Sequence, residues 1–140
     1  MASGGVELLI PPRSDQLILV RLLVESIAST AGRLRERRVD DLRLAASEAC
    51  TNAVEALEEI GSTAPVCVRV EAREGRVVVI VTDQGGGFDL AEVDPIPHPT
   101  DPSRLHHEHG LGIGLIRSLV DEASFFRTAD GTQVRLVMSS

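Results

Sequence analysis

The stretch Asp40-Asp41-Leu42-Arg43-Leu44-Ala45-Ala46-Ser47-Glu48-Ala49-Cys50-Thr51-Asn52-Ala53-Val54-Glu55-Ala56-Leu57-Glu58-Glu59-Ile60 decides how the rest of the chain is read. Leu42, Ala46, Ala49, Ala53, Ala56 and Ile60 recur at steps of four and three. That period predicts an amphipathic helix, started at Asp40 or Asp41 and stopped by Gly61. Glu48 and Asn52 are four apart and share a face, and Glu55 extends the row. The row lies roughly 100° around the helix from the apolar stripe. A polar pair there borders the core and faces either a cleft or solvent.

Outward from this helix, Val6 to Ile10 reads as a strand stopped by Pro11-Pro12. Ser14 is the expected cap of a helix reaching Ala31, with Leu17, Val20, Val24 and Ile27 on one side, and Gly32 ends it. Arg33 to Arg38 reads as a solvated basic turn. Val66 to Glu71 and Arg76 to Thr82 form a hairpin around Glu74-Gly75. Val77 to Val81 is apolar at every position, so that strand is expected at the sheet centre with helices over it. Leu111 to Val120 reads as a short helix. Ala123 to Arg127 and Gln133 to Met138 close the chain as a second hairpin. Strands and helices mix without strict alternation. The expected class is therefore α+β, a two-layer α/β sandwich with one mixed sheet covered on one face by helices.

The composition narrows function. With 43% hydrophobic and 25% charged residues, the 140-residue chain is globular, not disordered, and its length makes residues 1–140 a single domain. The aromatic residues are three Phe, with no Trp or Tyr, which argues against stacking on unpaired bases as a binding mode. A net charge of -7 opposes direct nucleic-acid binding. All 14 basic residues are Arg; without Lys there is no Walker-type phosphate loop and no Schiff base. Cys50 and Cys67 lie in apolar segments and read as buried free thiols. No apolar run is long enough to span a membrane, so a soluble, cytoplasmic protein is expected.

Two further segments carry chemistry. Asp83-Gln84-Gly85-Gly86-Gly87-Phe88 follows the central strand. A carboxylate at a strand end suits the exocyclic amine of adenine, whereas guanine presents an acceptor there. His109-Gly110-Leu111-Gly112-Ile113-Gly114-Leu115 ends a loop and opens a helix, where free N–H groups bind phosphate. Between them, 83–110 holds four of the seven prolines and all four histidines. A connection of that length is functional or mobile.

The combination E-x-x-x-N on a helix, strand-D-x-G-x-G, long loop and G-x-G-x-G resembles the GHKL ATPase superfamily with its Bergerat ATP-binding fold. Ala45-Ala46-Ser47-Glu48-Ala49-Cys50-Thr51-Asn52-Ala53-Val54-Glu55 is similar to the N box of bacterial anti-sigma-factor serine/threonine kinases, and Gly131-Thr132 to their final nucleotide motif. The resemblance implies ATP and Mg²⁺ as cofactors. Asn52 would hold the metal, one protein ligand sufficing for Mg²⁺. Glu48 would be the base. Asp83 would bind the adenine amine, with Gly85 and Gly87 letting the backbone close on the nucleotide. Gly110, Leu111, Gly112, Ile113 and Gly114 would line the phosphates, and Thr132 would support the adenine end. Residues 89–109 would be the ATP lid.

The implied activity is a protein serine kinase and anti-sigma factor. It would be a homodimer that sequesters a sigma factor and phosphorylates an anti-sigma-factor antagonist. The alternatives are a non-catalytic ATP- or ADP-binding switch and a stand-alone histidine-kinase-like domain acting in trans. The sequence departs from the family after Glu55, where Ala56 stands near a position often occupied by histidine. His106-His107-Glu108-His109 reads as solvated polar lid in place of a metal site.

Overall fold

The computed structural model describes residues 4–84, 108–127 and 131–140. Its order is β1 (Gly4–Ile10), a 3-10 turn (Ser14–Gln16), α1 (Leu17–Thr30), α2 (Glu36–Glu59), β2 (Val66–Arg73), β3 (Arg76–Asp83), α3 (Glu108–Leu119), β4 (Glu122–Arg127) and β5 (Thr132–Ser139). The five strands form one sheet in the order β1-β2-β3-β5-β4. β3, the uninterrupted apolar strand, is central as expected.

Alternation splits each strand between two faces. Val66, Val68 and Val70 of β2, Val77, Val79 and Val81 of β3, and Leu136 and Met138 of β5 are buried in one cluster with the helices. Leu17, Val20, Val24 and Ala28 are the buried stripe of α1. Leu42, Ala46, Ala49, Ala53 and Leu57 belong to that of α2, and Ile116 anchors α3. All three helices thus bury their apolar sides on the same sheet face, which is the two-layer arrangement expected.

Four details differ from the sequence reading. Among the described residues every strand pairing is antiparallel, so the sheet they form is not mixed. The chain re-enters β5 from the β4 hairpin at the Asp83 end of β3, opposing Asp83 with Thr132. Ser14 opens a 3-10 turn in place of capping α1; Gln16 holds the cap position without a side-chain hydrogen bond. The longer helix begins at Glu36, so Arg37 and Arg38 are helical. Val39 is buried and continues the Leu42–Ala46 stripe one turn earlier, and its burial outweighs the polarity of the arginines. Cys67 is only half-buried, because its register places it with Arg69 and Glu71 on the face the helices do not cover. No helix among the described residues is long and apolar enough to cross a membrane.

Candidate functional site

Asn52 lies on the third-last turn of α2 and is only 5% exposed. An amide that deep needs partners or a ligand. What lies over it is α3. A Cβ on Gly112 would stand 3.0 Å from Asn52 Oδ1 and 3.1 Å from its Nδ2, so any side chain there would require the amide or α3 to give by a few tenths of an ångström. Ile113 and Ile116, both fully buried, hold α3 in that position.

The glycine series occupies a different place from the one expected. α3 starts at Glu108, so Gly110, Gly112 and Gly114 lie within it, not ahead of it. Packing through Ile113 and Ile116 overcomes a propensity cost of about 1 kcal/mol per glycine. A helix leaves its first four N–H groups without intrahelical partners. The N–H groups of Gly110 and Leu111 fall among those four, whereas Gly112 lies against Asn52.

One turn before Asn52, Glu48 is half-buried and opens in another direction. It lines a groove of about 470 Å³ with Arg21, Arg43, Leu44, Ser47 and Thr51. Arg21 Nε donates to Ser47 Oγ at 3.2 Å, fixing a guanidinium beside Glu48. Arg43 is held by Glu25 at 3.1 Å and Asp40 at 3.0 Å. Thr51 Oγ1 donates to the Ser47 carbonyl at 2.9 Å. Sequence reasoning did not single out Arg21 or Arg43. No periodicity within α1 signals that Arg21 meets Ser47 across 26 residues.

The second cluster closes the far end of β3. Asp83 is 4% exposed and Thr132 1%, and the two are register partners across β3 and β5. By alternation both sit on the helix-covered face. Gly131 packs against the Asp83 carbonyl so closely that any Cβ would collide with it. Backbone proximity is what this glycine supplies. Asp83, Gly131 and Thr132 all engage partners.

The structure thus brings Asn52 to Gly112 and Asp83 to Gly131 and Thr132, and places Glu48 in its own groove. Gly85, Gly87, His106 and His107 lie outside the described residues, as does the expected lid except for Glu108 and His109, which fall in α3. Behind the α2 row, burial pushes the Cys50 thiol up to about 12, so it is neutral. Among the described residues no group of three or more His, Cys, Asp or Glu is arranged to hold a metal.

The chain is similar to known proteins over most of its length. Residues 10–138 match the histidine kinase-like ATPase domain family. The serine-protein kinase RsbW of Bacillus licheniformis is 35% identical over 124 residues, 86% of this chain and 77% of that protein. The protein of the same name from Bacillus velezensis is 37% identical over 120 residues, 84% and 74% of the two chains. A Mycobacterium tuberculosis structure of RsbU and RsbW domains superposes with a TM-score of 0.68 at 19% identity, covering 97% of this chain. This chain spans 32% of that longer one, and the likeness bears on the fold. With the domain matched almost end to end and relatives aligned over most of their length, this chain belongs to the histidine kinase-like ATPase domain family and to its serine-protein kinase RsbW group.

Proposed function

We propose that this chain is an ATP-dependent protein serine kinase and anti-sigma factor, sequestering a sigma factor and phosphorylating that factor's antagonist protein. The observation that carries the reading is the α2 pair. Asn52 offers a buried amide under the glycine backbone of α3, while Glu48, one turn away, opens into a groove that a partner's side chain can enter. Glu48 favours the kinase over a non-catalytic switch, because a pure binder needs no base.

The residues fit ATP. Asp83 accepts from the adenine amine, Thr132 supports that end, and Gly85 and Gly87 bring backbone to the base. Gly110, Leu111, Gly112, Ile113 and Gly114 line the phosphates, and 89–109 closes as the lid of a single domain. They also fit Mg²⁺: Asn52 Oδ1 would be the protein ligand, and the ion would supply charge neutralisation at the phosphate oxygens. Glu48 takes the proton of the partner's serine hydroxyl as its oxygen bonds to the γ-phosphorus and ADP departs. The resemblance supports a homodimer as the working form.

Label transfer tests this reading. The chain is incubated with γ-labelled ATP, Mg²⁺ and candidate serine-bearing antagonists. Acid-stable label on the antagonist is expected. Label that is acid-labile, as on histidine, or no transfer by a chain that still binds ATP, overturns the serine-kinase reading.

A further inference from the structure

At the end of the sheet away from Asp83, three segments are tied together. Gly75 N–H donates to the Gly32 carbonyl at 2.8 Å, and Ser140 N–H to the Gly75 carbonyl at 2.9 Å. Beside them is a cleft of about 520 Å³ lined by Arg35, Arg37, Arg38, Asp41 and Ser140.

The arginines differ in what they do. Arg38 is a strut: it donates to Met138 Sδ and to Asp121 Oδ1, each at 3.2 Å, tying α2 to the end of the sheet. Arg35 and Arg37 are exposed and, among the described residues, engage no hydrogen bond or ion pair. Arg35 and Arg37 thus place two guanidinium groups without a bonded partner among the described residues over one cleft. Guanidinium forks match carboxylates in geometry as well as charge. Asp41 and Asp121 keep the net positive charge of the cleft small, and the whole chain stands at -7. A densely charged polyanion is repelled by that balance, whereas a few spaced carboxylates are not.

We propose that this cleft docks a short acidic segment of a protein partner, with Arg35 and Arg37 as the carboxylate-binding pair. The proposal does not depend on the kinase reading. β3 runs from Arg76, paired with Ser139 at the cleft end, to Asp83, paired with Thr132. At about 3.3 Å per residue this separates the cleft from Asp83 by roughly 23 Å. A partner held here leaves the nucleotide end open.

The test is a titration of the isotope-labelled full chain with a heptapeptide of alternating Asp and Leu, followed by NMR. Saturable shifts are expected at 33–41 and 138–140, and none with the matching Asn peptide. The double variant Arg35→Glu, Arg37→Glu should weaken peptide binding at least about tenfold while leaving ATP affinity and thermal unfolding unchanged. Shifts centred elsewhere, or equal affinity in the double variant, overturn the proposal. So does a single-stranded oligonucleotide that binds as tightly as the peptide.

Discussion

Glu48 and Asn52 show how neighbouring residues on one helix come to stand in different surroundings. Four positions apart, they differ in depth: Asn52 is under α3 and Glu48 opens to the α1–α2 groove. Glu48→Gln keeps the shape and removes the basic carboxylate. ATP affinity measured by calorimetry should stay near wild type, and phosphoryl transfer should fall about 10²–10⁴-fold. Transfer at the wild-type rate would exclude Glu48 as the base. Cys50, between the two, gives a pH prediction. Its thiol is raised from 9.0 to about 12 by burial, so the folded state keeps it protonated where the unfolded chain ionises. The associated stability is complete below about pH 9 and is lost as pH rises toward 12, by at most about 1.4 kcal/mol per pH unit. With no Lys or Tyr in the chain, the thiols are the side chains that titrate in that range. Urea unfolding at stepped alkaline pH should show this slope in the wild type and a flatter one in Cys50→Ala.

At the scale of elements, the contact between α2 and α3 sets the site. Gly112→Ala brings two opposed effects. Replacing a helical glycine by alanine gains about 1 kcal/mol of propensity. The new Cβ, 3.0 Å from Asn52 Oδ1, requires the amide or α3 to shift by a few tenths of an ångström. Because Asn52 is buried among packed neighbours, the shift displaces the amide from its position under α3. Thermal stability should therefore change little, within about 1 kcal/mol, while Mg-ATP affinity falls about tenfold. Unchanged affinity in Gly112→Ala would show that the position of Asn52 does not govern the nucleotide.

At the scale of the whole molecule, the sheet keeps its two ends apart: Asp83 with Gly131 and Thr132 at one, and the Arg35–Ser140 cleft at the other. Ligand binding to the folded state alone raises its stability, by about 2.7 kcal/mol at a hundredfold excess over Kd. ATP should accordingly raise the melting temperature in a thermal-shift assay, and GTP should do so much less, because guanine presents an acceptor to Asp83. Asp83→Asn should lose most of the ATP-induced shift, at a cost of about 1–3 kcal/mol in binding. Equal shifts with ATP and GTP would remove Asp83 from the adenine contact.

Local pattern by itself determined the element order, the central place of Val77 to Val81, and the four-residue spacing of Glu48 and Asn52 on one helix. Each of these follows from a period of two or 3.6 and needs no knowledge of distant neighbours. The family resemblance came from the order of three short motifs, which is also a property of the string alone. Other features depended on which surfaces meet. Glu36 replaces Asp40 as the helix start because Val39 is buried against the rest of the core. The glycine series lies inside α3 because Ile113 and Ile116 gain more by packing than the glycines lose in propensity. Cys67 is half-exposed because the strand register turns it to the uncovered face. Arg21 meets Ser47, and Arg38 meets Asp121, across 26 and 83 residues of chain. Such contacts are decided by burial summed over several elements at once, so only the assembled tertiary structure determines them.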